Sequence, residues 1–446
     1  MKKFKSKKLP EKRILPKRNR SLKEIASVFN LSKVKSGYAG FGIILVINVS
    51  TIFRSSWAGD DWPNSQTPYW IQWRYGALTN WNIWTEAMFW NDQWMKGAGR
   101  FYPLTWIESR FAFSYLRELW QYKIYQVALL VIAGLLLTYV SYILSKSHVL
   151  ALSTLACLSL TIQFRRDFDP HLAFAVMLPS LMIKVLIAII LAYKGGKSSS
   201  KIVAFSFTIA SGSLYFAAMS TYEFGFLLFP LLVISFSVGC MERKDTPIRS
   251  SFHSLRLLIT ESFSIAFLPI FISWISYGLF VFMYLRPQAS AISGSYVLGI
   301  SWLSVKVFLS QLFTGIPLIA FREIDFSYNS LSFFLGLLLA LLCYLLLKGV
   351  LRSIGSKSVR RELGETNPQS FMRNRVGILM FSIILIAAPG LMMAMQPTWW
   401  NRANLTHSYL GVMITEFGTA VMLSLLIERL LTQNMVPIYS KTRGKK

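Results

Sequence analysis

Apolar runs of near membrane-spanning length recur along the whole chain, and they constrain its fold more than any other feature. A helix needs about 20 apolar residues to cross roughly 30 Å of hydrocarbon. The runs lie at about 37–53, 124–144, 149–163, 173–193, 202–219, 224–240, 260–285, 303–320, 331–351, 376–395 and 409–431. With 54% hydrophobic residues and a mean hydropathy of +0.45, the chain is too apolar for a water-soluble domain. We therefore predict an all-α, polytopic membrane protein.

The net charge of +27 is explained by the position of the basic residues. Residues 1–36 hold thirteen Lys/Arg against two Glu, and further basic clusters adjoin apolar runs. Lys and Arg beside membrane spans remain on the cytoplasmic side. This pattern predicts a cytoplasmic basic arm over 1–36, a single transmembrane domain over 37–446, and no nucleic-acid partner.

Counting the runs from a cytoplasmic N-terminus gives the predicted topology. If 303–320 crossed the membrane, the basic segment 352–375 would face outward, against the positive-inside rule. We therefore predict that 303–320 lies in the interface or re-enters the membrane without crossing it. About ten spans remain, with both termini cytoplasmic, a large extracytoplasmic first loop at 54–123 and a later one at 286–330.

The first loop holds ten of the fourteen tryptophans and predicts two amphipathic helices, Asn82 to Met95 and Pro103 to Tyr122. Apolar side chains at spacings of three and four form a stripe on the second helix. This pattern is typical of helices that lie along a membrane surface. The stripe consists of Leu104, Ile107, Phe111, Tyr115 and Leu119.

Asp60 and Asp61 follow the first run closely, so they are expected on a loop just outside the membrane. Adjacent side chains point to different faces of a helix or strand. One carboxylate could face a substrate while the other holds position or a cation. A carboxylate near an apolar surface binds a proton more tightly and can act as general base towards a hydroxyl group. The alternative is a solvated Asp-Asp loop.

The order of these features resembles the first module of the GT-C superfamily of integral-membrane glycosyltransferases. The matching elements are the first span, Asp-Asp after Trp57-Ala58-Gly59, two amphipathic helices, and Gly-Arg-Phe leading into Pro-Leu. The resemblance covers residues 37–240. It implies that Asp60 or Asp61 is the catalytic group, and it implies a polyprenyl-phosphate sugar as donor in a bacterial inner membrane.

Arg100, in Gly-Arg-Phe, is the first candidate for binding a lipid phosphate, because the preceding glycine permits close backbone approach. The alternative is an ion pair with Glu108 or contact with a lipid head group. Lys306, Arg286 and Arg322 are further candidates, and nothing in the sequence ranks them.

The next outer loop holds a second charged cluster. Arg165 and Arg166 could clamp a phosphate through forked hydrogen bonds. His171 could relay a proton or hold an acceptor hydroxyl. Asp167 and Asp169, like Asp60 and Asp61, could bind a divalent cation, but the sequence indicates no certain cofactor. An interfacial salt-bridged turn explains the same residues.

Tyr222 and Glu223 lie in a short outer turn between two apolar runs. An ionisable residue at membrane depth indicates a functional site, so both are substrate-binding candidates. Most tryptophans suit the aromatic belt of a membrane protein. Trp57 and Trp62, beside the aspartates, are candidates for substrate contact.

The sequence therefore predicts a glycosyltransferase that moves a sugar from a polyprenyl phosphate to an extracytoplasmic glycan or lipid acceptor, with inversion at the sugar. A transporter or flippase of a lipid-linked or anionic substrate is the alternative from another class. A polysaccharide polymerase or ligase is a third interpretation.

Cys157, Cys240 and Cys343 all lie in apolar runs without metal-ligand spacing. No disulfide framework or zinc site is predicted from them.

Overall fold

A computed structural model describes most of the chain. The described residues are 20–57, 61–162, 164, 177–244, 264–288, 299–314, 375–397, 400 and 411–443, with isolated positions at 334, 338, 341, 345 and 349. Side chains are described from residue 34 onward, to 312 in the 299–314 segment and to 430 in the last helix.

The described part of the chain is helical and contains no strand. We number its helices in chain order. They are α1 (Arg20–Val49), α2 (Asp61–Ser65), α3 (Thr67–Tyr75), α4 (Asn80–Ala98), α5 (Pro103–Tyr115), α6 (Leu119–Ser145), α7 (His148–Thr161), α8 (Met177–Lys197), α9 (Lys201–Thr221), α10 (Phe224–Leu227), α11 (Phe229–Lys244), α12 (Leu268–Gly278), α13 (Trp302–Thr314), α14 (Arg375–Ala394) and α15 (Val412–Arg443).

Six of the described helical segments are long and apolar enough to cross a membrane, which confirms a membrane-embedded α-helical protein. They are Val34–Arg54, Leu119–Ser145, Met177–Lys197, Lys201–Thr221, Ile265–Gln288 and Arg375–Ala394. Large apolar side chains such as Ile43, Leu135 and Ile202 are exposed on them, as expected for surfaces that face lipid. The full count of ten spans stays a prediction.

The bundle is held together by close helix–helix packing around α8. Helix α8 packs against α9 and α11, and α7 packs against α15. Gly196 of α8 and Gly239 of α11 bring the two backbones so close that any side chain at either position would collide with the other helix. Small residues at such crossings are typical of membrane bundles.

The helices of the first loop differ in their bounds from the prediction. The second amphipathic helix ends at Tyr115, not at Tyr122, and α6 starts at Leu119 behind a capping box formed by Glu118 and Gln121. The predicted apolar stripe of α5 is not its buried face. The buried side chains of α5 are Ser109, Arg110, Ala112, Phe113 and Ser114.

Helix α13 packs against α14 and also contacts α15. The Gly299 amide donates to the Met395 carbonyl at 2.8 Å, while Phe308 and Gln311 pack on Gly390. These contacts lie near the Ala394 end of α14. Residues 315–320 lie outside the described residues, so the interfacial placement stays a prediction.

Candidate functional site

Charged side chains gather at the end of the bundle where residues 54–123 lie, which we call the first-loop end. Helix α5 lies across this end and contacts α2, α3, α4, α8 and α9. Its Thr105 hydroxyl donates to the Thr221 carbonyl at the end of α9. Helix α5 therefore connects the charged groups described below.

Asp61 is buried, with 4% of its surface exposed, although the sequence predicted a loop position. It begins the single-turn helix α2 and accepts a hydrogen bond from Gln126 Nε2 at 3.1 Å. Because Gln126 lies about two turns into α6, this bond holds α2 against the end of a membrane span. The neighbouring Asp60, the other predicted base, lies outside the described residues.

Lys123 is a site residue that the sequence analysis missed. Its side chain is fully buried at the start of α6, and its ammonium has no hydrogen-bond partner within the described part of the chain. The ammonium interacts electrostatically with Asp61. Lysine is almost never fully buried unless paired. Its place in the first turns of a span was a signal that could have identified it.

The two tryptophans beside the aspartates differ in their surroundings. The Trp57 ring packs 5.1 Å from the Tyr122 ring and 5.7 Å from the Phe113 ring, and the Tyr122 side chain interacts with Asp61. Trp62 is 62% exposed. The structure thus places Trp57 against a side chain that contacts Asp61, whereas most of Trp62 is on the surface.

Arg100 pairs with Glu223, and both side chains are buried. Helix α4 ends at Gly99 in the left-handed conformation, and the next residue directs Arg100 Nε to Glu223 Oε1 at 3.0 Å. The guanidinium also lies 4.8 Å from the Tyr102 ring centre and 5.2 Å from that of Tyr222. Burial alone would lower the pKa of Arg100, but Glu223 together with Tyr102 and Tyr222 outweighs burial and holds the pKa well above its usual value.

Arg286 lies near the end of the candidate span Ile265–Gln288 and reaches the same carboxylate. Its NH2 group donates to Glu223 Oε2 at 3.3 Å, so one buried carboxylate faces two guanidinium groups. The structure therefore brings together Arg100, Tyr222 and Glu223, which the sequence nominated separately. It also brings in Arg286, a candidate that the sequence did not rank, as the third member of a largely buried charged triad.

Glu108 does not pair with Arg100, in contrast to the alternative that the sequence left open. Its carboxylate pairs with Lys184 of α8 and accepts from the Ser180 hydroxyl. Arg110, two residues further along α5, donates to Asn64 at 2.9 Å and to Thr67 at 2.7 Å. Burial lowers the pKa of Arg110. These bonds join α5 to α8 on one side and to α2 and α3 on the other.

The second predicted cluster, comprising Arg165, Arg166, Asp167, Asp169 and His171, lies outside the described residues. Among the residues that are described, no group of three or more His, Cys, Asp or Glu side chains could hold a metal ion. The carboxylates suggested for a divalent cation, apart from Asp61, are not among them.

The opposite end of the bundle carries a separate set of charges. Glu242 pairs with Lys197 at 2.8 Å and with Lys146 at 3.3 Å. Ser147 donates to Glu428 at 2.7 Å. These groups lie where α6, α8 and α11 end, so they are separated from Asp61 and Glu223 by the length of the spans.

No family model, no curated protein and no solved structure matches the chain. The function is therefore inferred from the residues of the first-loop end.

Proposed function

We propose that the protein is a membrane glycosyltransferase that moves a sugar from a polyprenyl-phosphate donor to a hydroxyl acceptor. The observation that supports this most is the buried Asp61 carboxylate, held by Gln126 at the membrane end of α6. A buried, oriented carboxylate at this depth suits a general base that must act beside a lipid-linked substrate.

In the proposed reaction, the acceptor oxygen attacks the anomeric carbon of the donor sugar. The bond between that carbon and the phosphate oxygen breaks, and the polyprenyl phosphate leaves with the bonding electrons. The acceptor proton passes to the Asp61 or Asp60 carboxylate. A single displacement of this kind inverts the configuration at the sugar.

Negative charge builds up on the departing phosphate in the transition state, so fixed cations lower the barrier. The Arg100–Glu223–Arg286 triad has one more positive than negative charge and lies at the same end as Asp61. Lys123 interacts electrostatically with Asp61 and would act as a positioning residue for that carboxylate. The Trp57 ring supplies an aromatic face beside Asp61, of the kind that stacks on sugars.

The placement of charge also argues against a transporter. Transporters bind their substrates near the bilayer midplane, between broken helices. The described ion pairs at Glu223 and Glu242 lie instead at helix ends. We therefore favour an enzyme.

The test is sugar transfer by purified protein in lipid nanodiscs, from a polyprenyl-phosphate sugar to an acceptor. We expect Asp61→Asn or Asp60→Asn to reduce transfer about a hundredfold or more, the usual contribution of a general base. Asp92→Asn is the matched control, because Asp92 is 44% exposed and pairs with the exposed Lys96 on α4. Full activity in both Asp60 and Asp61 variants would contradict the proposal.

A further inference from the structure

Arg286 stands out in the charged triad because most of its hydrogen-bonding capacity is unused. Only NH2 reaches Glu223, while the Nε and NH1 atoms are buried and have no hydrogen-bond partner in the described part of the chain. A buried donor without an acceptor is costly. Arg100, by contrast, is occupied by Glu223 and by the aromatic rings of Tyr102 and Tyr222.

The backbone before Arg286 departs from the ordinary α-helix. Residues Leu279–Leu285 form a π-helical segment directly before it. Such segments are rare and frequently mark functional sites, because the extra residue per turn re-aims the side chains that follow. The local structure thus presents Arg286 at an angle that a regular helix would not give.

The Gly-Arg-Phe segment is built around Arg286. A Cβ atom on Gly99 would lie 2.7 Å from the Arg286 Cα atom, so only glycine permits this approach. Tyr277 of α12 donates to the Phe101 carbonyl at 3.0 Å, and the Phe280 ring meets the Phe101 ring at 5.1 Å. The contacts on both sides of Arg100 therefore fix the position of Arg286.

The helix that carries Arg286 also faces lipid. Only 22% of its apolar stretch is buried inside the protein, the smallest share among the six candidate spans of the described chain. Leu279, Met283 and Tyr284 are exposed on it. A lipid could approach Arg286 laterally from the bilayer, whereas a soluble anion would have to come from the water phase.

We infer that Arg286 is the residue that binds the phosphate of the lipid carrier, with Glu223 holding its guanidinium and Arg100 acting as a positioning residue. The unused Nε and NH1 donors match the forked geometry with which a guanidinium holds phosphate oxygens. The assignment of the phosphate to a sugar carrier rests on the proposed function, but the binding site does not require that sugar transfer occurs.

The experiment measures binding of a radiolabelled long-chain polyprenyl phosphate to the full-length protein in nanodiscs. We expect Arg286→Gln to weaken binding about ten- to a hundredfold, as for loss of a charged hydrogen-bonding group. Lys96→Gln removes the same charge from a side chain that is 73% exposed at the end of α4 and should bind as the wild type does. Wild-type affinity in Arg286→Gln, or an equal loss in Lys96→Gln, would overturn the inference.

Arg286→Lys separates loss of the phosphate contact from misfolding. Lysine keeps the positive charge opposite Glu223 but lacks the forked hydrogen-bonding geometry of a guanidinium group. It should elute as a folded protein and still bind several-fold more weakly, whereas unchanged binding would contradict the forked contact.

Unlabelled polyprenyl phosphate should displace the label, and uncharged polyprenol and equimolar inorganic phosphate should not. Equal displacement by inorganic phosphate would overturn the assignment to a lipid phosphate. Binding that depends on Arg286 without any sugar transfer would refute only the proposed function.

Discussion

Glu223 balances the buried Arg100 and the largely buried Arg286, and this shows how far single residues could be predicted. An acidic residue in a turn between two apolar runs was sufficient to nominate Glu223, and a Gly-Arg-Phe motif was sufficient to nominate Arg100. Their pairing joins residues 123 positions apart. No local pattern encodes that contact or the choice of Arg286 over Lys306, because both depend on how the helices pack.

Replacing Glu223 by Gln tests this charge balance. Two guanidinium groups would remain buried without their carboxylate, which typically costs about 3–5 kcal/mol of folding free energy. We expect a clearly lower unfolding temperature in detergent. Asp92→Asn breaks an exposed pair and should change stability by only about 0.5 kcal/mol or less. Similar unfolding temperatures for the two variants would show that the triad does not support the fold.

Helix α5 shows which properties of a helix can be predicted from the spacing of its apolar residues and which cannot. Pro103 at the first helical position predicted its start correctly. Its end was missed, because the capping box of α6 uses Glu118 in place of the usual Ser or Thr. The apolar stripe is not among the buried side chains of α5, and its placement along the membrane surface stays a prediction. Polar side chains such as Ser109 and Arg110 face inward, because α5 covers charged helix ends instead of an apolar core.

Two glycines that end neighbouring helices provide a matched test of the α4–α5 connection. Gly76 and Gly99 both have positive φ, at +80° and +61°, so alanine at either site costs roughly 1–2 kcal/mol in backbone strain. A Cβ on Gly76 meets no atom within 4 Å, whereas one on Gly99 meets the Arg286 backbone. Gly99→Ala should therefore destabilise the protein more than Gly76→Ala, measured by thermal unfolding. Equal losses would mean that the contact with Arg286 is loose.

At the scale of the whole molecule, the described charges form two groups at opposite ends of an apolar bundle. Asp61, Glu108 and Glu223 lie at the first-loop end, and Glu242 and Glu428 lie at the other. Hydropathy predicted the membrane class, since it depends on summed composition. It could not show that α5 links Asp61 to Glu223, because that link is made by tertiary contacts.

We propose that a lipid-linked sugar binds next to Asp61 at the first-loop end. The most direct measurement is photo-crosslinking of a polyprenyl-phosphate sugar that carries a diazirine on the sugar, followed by mapping of the labelled peptides by mass spectrometry. We expect the diazirine probe to form adducts within residues 57–66 and 115–126, around Asp61 and Lys123. Adducts at the opposite end, around Lys146 and Lys197, would contradict it.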